Sequence, residues 1–482
     1  MPKKISNLLS CTVIYGIGDI LNRLAAFLLL PLYTSYLTPE QFGTLEILFL
    51  TSSILSMFLG RQLSHATLRF YFEYDKETER KQVVTTAITT GFSFSFIILA
   101  CCARLSSAFS TMVFSSEQYS LHFTLIFAII LFELSNEVLF SYIRAVGMPV
   151  FFVMLSLLSL SLKLGTTIYF VTSLKLEILG VLAGNLVGVF SVWIVLSIFT
   201  FTRCGISFSM LKMKELIRYA MPLILADFGG LVIFSADKLA LKHFSTLSAV
   251  GIYALGMRFA QVINFLITQP FTRGFGPYRF EIMKDMDAKE KYARTTTYFF
   301  TILVWAGLAI SLLSKEALQI MSEKSYWPAA RVVPFLVVGV FSQGAYYMFQ
   351  TGVYISKNTK TLFKLFWLGV LINLILLTVF VPLLQEVGAA ISIAATQIFL
   401  ALGGLYLSEK VYSIDFEWER IIKIFIAAIV IFIPGYFSEA NTLAINCATK
   451  ISIILLFPFL LRLLSFYSAD EIAFMKNLLH RN

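Results

Sequence analysis

Fourteen apolar runs, each near the roughly 20 residues that a helix needs to cross a bilayer, follow one another along the chain with little between them. Their approximate bounds are 9–32, 42–60, 83–103, 120–141, 150–172, 178–200, 219–241, 249–270, 298–314, 332–351, 362–382, 387–407, 421–437 and 446–464. Lipid offers no partner to an open backbone group, so a spanning segment is a helix or part of a closed barrel. The strict period-2 alternation of a barrel is absent. The expected fold is therefore all-α, a polytopic transmembrane helical bundle. Composition excludes the alternative of a soluble domain: 58% of the 482 residues are hydrophobic and 14% are charged, against about 25% charged in soluble domains.

The loops test the span count. With the N-terminus on the cytoplasmic side, 27 Lys and Arg fall in loops and tails on that side and 7 on the other, with four inside spans. Such a split is a strong positive-inside signal, and one span too many or too few in the middle would spoil it. Both termini are thus expected in the cytoplasm, in a bacterial inner membrane. The net charge of +10 reads as membrane orientation and not as nucleic-acid binding. Cys11, Cys101, Cys102, Cys204 and Cys447 show no zinc-finger spacing and read as reduced packing residues. The first apolar run carries Asp19 and Arg23 and lacks a convincing cleavage site, so a retained first span is expected in place of a signal peptide.

An offset of 208 residues lays the first half of the chain on the second. Asp19 then falls on Asp227, Thr38 on Thr246, Gly43 on Gly251, Phe72 on Phe280 and Glu73 on Glu281. Five identities are close to chance, yet the landmarks keep their order: a mid-span acid, a turn with Gly, and the end of a long loop. The expected organisation is a six-helix lobe over 1–212, a second over 213–412, and two further spans with a tail over 413–482. Parallel repeats of this kind are a transporter plan.

Several stretches carry a family resemblance. They are Pro31-Leu-Tyr-Thr-Ser-Tyr-Leu-Thr-Pro-Glu-Gln-Phe-Gly43, Arg69-Phe-Tyr-Phe-Glu73, Arg144-Ala-Val-Gly147, Ala236-Asp-Lys-Leu239 and Val250-Gly-Ile-Tyr253. In order and spacing they resemble the polysaccharide-unit flippases of the Wzx type, which export O-antigen and capsule units. Those belong to the multidrug/oligosaccharidyl-lipid/polysaccharide exporter superfamily. The resemblance spans roughly residues 5–410, and the last two spans carry no such motif. It implies an undecaprenyl-diphosphate-linked oligosaccharide as substrate, moved from the cytoplasmic to the periplasmic leaflet. Membrane lipids, a polysaccharide polymerase and a chain-length regulator are the implied partners. It also implies that the first, second, seventh and eighth spans line a central cavity. No cofactor is expected beyond H+ or Na+ as a coupling ion.

Ionisable groups inside a bilayer are costly and need a reason. The cations inside spans are Arg23, Lys163, Lys238 and Arg258; the acids are Asp19, Glu46, Glu133, Glu137, Asp227 and Asp237. Asp19 and Arg23 are one helical turn apart, and Asp227 and Lys238 fall within about 20° on one stripe. With the implied cavity, Arg23, Lys238 and Arg258 would meet a diphosphate through charge-assisted bonds. Arg61, His65 and Arg69 follow at steps of four and form an expected electrostatic entrance, with Arg273 and Arg279 as its opposite rim. Glu133 and Glu137, one turn apart, disfavour joint ionisation and suit ion coupling; Asp19, Asp227 and Asp237 are further candidates. Bland readings stand beside these. Asp19–Arg23 and Glu133–Lys163 are equally readable as structural pairs, Lys238 as a snorkelling lysine, and the Arg61/His65/Arg69 stripe as a lipid anchor. Three other functions remain open: a cation-coupled drug exporter, a peptidoglycan-precursor flippase, and a polymerase or ligase. The last would need a large outer loop, and the longest, about 315–331, is short.

Overall fold

The computed structural model describes residues 27, 29–438, 442–468 and 470–472, with backbone alone at 225–228 and 234. Every regular element among them is helical. The order is α1 (Leu30–Tyr36), α2 (Pro39–Phe58), α3 (Leu63–Glu73), α4 (Glu77–Arg104), α5 (Ser106–Phe114), α6 (Ser120–Ala145), α7 (Pro149–Ile168), α8 (Glu177–Cys204) and α9 (Met210–Phe244). Then follow α10 (Leu247–Ile263), α11 (Gln269–Glu281), α12 (Ala288–Met321), α13 (Ala329–Phe349), α14 (Thr351–Ile355), α15 (Thr359–Val411), α16 (Trp418–Phe437), α17 (Leu443–Leu455) and α18 (Phe457–Leu463). Twelve helical segments among the described residues are long and apolar enough to cross a membrane. One of them, α15, serves two expected spans, because its backbone breaks at Gln385 with φ 50° and ψ −125°. The expected run 9–32 lies almost wholly outside the described residues.

Local chemistry sets the helix starts. Thr38 caps α2: its Oγ1 accepts from Gln41 N at 3.2 Å, and Gln41 Oε1 accepts from Thr38 N at 2.9 Å. Pro39 stands at the first helical position, where an amide donor has no intrahelical partner. Thr246 caps α10 in the same way, accepting from Ala249 N at 3.1 Å. These two threonines are the pair that the 208-residue offset brings together. The offset holds at other landmarks. The helices α3 and α11 end at Glu73 and Glu281. Gly60, at φ 106°, separates α2 from α3, and its counterpart Thr268 closes a π-helix, Asn264–Thr268, between α10 and α11. Glu177 and Gln385, both with left-handed φ (46° and 50°), start the sixth helix of each repeat. Non-Gly residues in that region carry of order 1–3 kcal/mol of strain, so its recurrence marks a turn imposed by topology.

Packing divides the chain into two compact units, Met1–Leu239 and Ala240–Asn482. The first includes most of α9, which the repeat assigns to the second lobe. In the first unit α6 packs on α3, α4 and α8, and α7 and α8 form an antiparallel hairpin. The hairpin closes tightly because a Cβ at Gly184 would meet Thr167 N at 2.7 Å, and one at Gly188 would meet Ser159 O at 2.8 Å. In the second unit α13 packs on α10, α12 and α15, while α16 and α17 pack on α12. The two arms of α15 also pair antiparallel: Asn373 Nδ2 donates to Thr396 Oγ1 at 3.1 Å.

Candidate functional site

The candidate residues divide between the two units. In the first, the three residues of the step-of-four row fall on two elements: Arg61 lies in the turn before α3, and His65 and Arg69 on α3. Arg61, His65 and Arg69 are exposed, whereas Gln62, Leu63, Ser64, Ala66 and Thr67 between them are buried. One face of α3 therefore packs on α4 and α6, and the face left open carries His65 and Arg69, with Arg61 exposed just before it. Arg61 Nε approaches Glu137 Oε1 at 3.1 Å, so an entrance residue and an ion-coupling candidate meet in one pair. Glu133, one turn earlier on α6 and only partly exposed, feels Lys163, Glu137 and Arg61. Arg69 lies over the Tyr219 ring at 4.6 Å, with Glu73 Oε2 at 3.7 Å from its Nε. Next to this stripe Tyr74 donates to Glu215 at 2.7 Å. That bond holds the phenol proton, and burial adds to it, pushing the Tyr74 pKa up to about 12.

Lys238, on α9, has a partner that spacing alone did not reveal. Its Nζ donates to Glu46 Oε2 on α2 at 2.7 Å, and Glu46 is almost fully buried. Its own amide donates to Asp237 Oδ1 at 2.7 Å, and Asp237 is buried too. The ammonium is thus held inside unit one by a carboxylate 192 residues away. The sequence signal for Glu46 was its position inside an apolar span. Asp19 and Arg23 lie outside the described residues, as does the side chain of Asp227.

In the second unit Arg258 sits half-buried on α10. It acts electrostatically on Tyr326, a buried residue of the turn between α12 and α13. Burial first, and Glu323 second, raise the Tyr326 pKa; Arg258 opposes them. Arg273 is exposed on α11. Arg279, expected beside it on the rim, is not at the surface: it is 7% exposed and lies over Tyr354, with its centre 4.1 Å from the ring. The reason is helical phase. Six residues after Arg273 the helix has turned by some 600°, which puts Arg279 on the face that meets α13 and α14. A second buried charge cluster carries no sequence signal that spacing could reveal. Lys450 Nζ on α17 reaches Glu316 Oε1 on α12 at 2.5 Å, with Asn446 Nδ2 on the same oxygen at 2.6 Å. From the sequence, Lys450 reads as a loop cation.

Comparisons with known proteins bear on the family and the fold. A family model described as "Polysaccharide biosynthesis protein" matches residues 8–283. An uncharacterized membrane protein of Haemophilus influenzae is 23% identical over 319 residues, covering 64% of this chain and 74% of its own. Among solved structures, the lipid II flippase MurJ in an inward closed conformation aligns with a TM-score of 0.74 at 15% identity, covering 93% of this chain and 99% of MurJ. The Vibrio cholerae MATE transporter VcmN in its bent form aligns with a TM-score of 0.54 at 13% identity, over 84% of this chain and 98% of VcmN. At these identities the likeness is one of fold.

Proposed function

Because the chain belongs to the polysaccharide biosynthesis protein family, matched over more than half its length, we propose that it is a flippase for an undecaprenyl-diphosphate-linked oligosaccharide. In this reading the sugar-diphosphate headgroup crosses from the cytoplasmic to the periplasmic leaflet by alternating access, while the polyprenyl tail stays in lipid. The observation that carries it is the exposed row that runs from the turn before α3 along that helix. Three groups able to bear positive charge, Arg61, His65 and Arg69, are aligned and exposed at the end expected to face the cytoplasm, where a bulky anion must first be collected. Arg273 is exposed on the matching helix of the second repeat. Arg23, Lys238 and Arg258 are assigned to the diphosphate itself. Lys238 reaches it by exchanging Glu46 for phosphate oxygens, which requires a conformational step. A proton or sodium gradient supplies the drive, carried by one of Asp19, Asp227, Asp237, Glu133 or Glu137.

The test is export in cells. Deletion of the gene should abolish surface polysaccharide and leave lipid-linked repeat units on the cytoplasmic leaflet. Arg258→Ala should do the same while the protein still inserts. Normal surface polysaccharide in both strains would sink the reading. A second reading, a peptidoglycan-precursor flippase, is favoured by the whole-chain likeness to MurJ. It predicts accumulation of the peptidoglycan precursor instead, with loss of cell-wall synthesis and intact surface polysaccharide.

A further inference from the structure

Arg279 is a buried cation with no counter-ion in contact among the described residues. It is 7% exposed, and its Nε and Nη1 are sealed from solvent without a hydrogen-bond acceptor. Its guanidinium stands over three rings: Tyr354 at 4.1 Å, Phe280 at 4.9 Å and Tyr347 at 5.5 Å. The local fold holds the cage together. Tyr292 Oη donates to the Arg279 carbonyl, and Tyr347 Oη donates to the Thr272 carbonyl at 2.9 Å. Aromatic faces attract a guanidinium through its own face. They do nothing for its N–H bonds, which lie in the plane and are shaped for two oxygens of a carboxylate or phosphate. A protein carboxylate would neutralise the charge permanently, as Glu73 partly does for Arg69. Rings hold the charge and leave it available.

We propose that Arg279 is a phosphate-binding residue of the second lobe, stored in its aromatic cage and exposed to a phosphoryl oxygen of the substrate when α11 swings away from α13 and α14. The proposal rests on the reading of the substrate as a lipid-linked diphosphate. The backbone before Arg279 offers such a motion a place to start. The π-helix Asn264–Thr268 interrupts the helical ladder just before α11. Pro270 and Pro277 lack amide donors, and a Cβ at Gly274 would meet nothing within 4 Å. The missing partner is therefore an in-plane anion, and the hinge that admits it lies within about fifteen residues, at the start of the same helix.

The experiment uses the full chain in phosphatidylcholine nanodiscs, titrated with farnesyl diphosphate. Farnesol serves as the uncharged control, and nanodiscs containing phosphatidylglycerol form a second arm. Wild type should bind the diphosphate and not the alcohol. Arg279→Gln should weaken binding about tenfold, as loss of a charge-assisted pair does, and Arg279→Lys should recover part of it. Tyr354→Leu should tighten binding a few-fold, because the cage opens more readily while the charge remains. If Arg279→Gln does not fold, Arg279→Lys and Tyr354→Leu carry the test. Wild-type affinity in the folded variants would overturn the proposal alone. So would an effect of Arg279 on phosphatidylglycerol and not on the diphosphate, since the site would then belong to a lipid headgroup. Failure of wild type to bind farnesyl diphosphate would remove the substrate reading as well.

Discussion

Near their C-terminal ends α3 and α11 each carry an arginine laid over a tyrosine ring, and the two arginines are kept in opposite states. On α3, Arg69 is over half exposed, lies 4.6 Å from the Tyr219 ring and has Glu73 beside it. On α11, Arg279 is sealed 4.1 Å from the Tyr354 ring with no acid of the described residues in contact. Both helices follow a break at the same repeat position, Gly60 in one and the π-helix ending at Thr268 in the other. A shared backbone plan therefore does not share its charge. The row at α3 keeps its cations wet and cheaply paired, whereas charge is sealed inside packing at Arg279 and at Glu316–Lys450 in the second unit, as it is at Glu46 and Asp237 in the first. Wet charges collect ligands and respond to salt. Sealed charges hold elements together or wait for a conformational change.

The sharpest way to break this contrast is to remove one member of the sealed pair. Lys450→Met leaves Glu316, 1% exposed, without its cation. It should cost about 3–5 kcal/mol, read as a lowered unfolding temperature in detergent. Adding Glu316→Leu should recover most of the loss; no recovery would mean that the pair does more than neutralise itself. A smaller effect is expected where the repeats share a glycine. Gly388→Ala would place a Cβ 2.1 Å from the Phe380 carbonyl oxygen, against 3.1 Å from Phe170 C for Gly180→Ala. The first should cost about 1–3 kcal/mol and the second clearly less. Equal effects would show that the two hairpins are packed alike. The smallest effect belongs to the wet pair. Glu137→Gln, opposite an Arg61 whose side chain is 54% exposed, should change stability by about 0–1 kcal/mol. That change should vanish in 1 M salt, where screening acts within roughly 3 Å, whereas the Lys450→Met loss should persist. A large, salt-resistant effect at Glu137 would place it among the sealed charges.

Much of the architecture is legible in the residues because its causes are local. Length and hydropathy mark the spans. The offset that pairs Thr38 with Thr246 and Glu73 with Glu281 lands on two N-caps and two helix ends. The exposure of His65 and Arg69 follows from helical phase, with the buried positions between them facing the neighbouring helices. What escaped reading depends on partners far along the chain. Glu46 and Lys238 are 192 residues apart, Glu316 and Lys450 are 134 apart, and no periodicity links either pair. Arg279 shares with Arg273 a run of residues that looked like one cationic rim.

Taken alone, the chain specified which segments enter the membrane, which ends carry positive charge and where the plan repeats, because lipid enforces those rules segment by segment. Whether a given charge stands open, paired or caged was decided by tertiary packing. The identity of a neighbour, not the side chain's own chemistry, sets the dielectric around it and the partner it can reach.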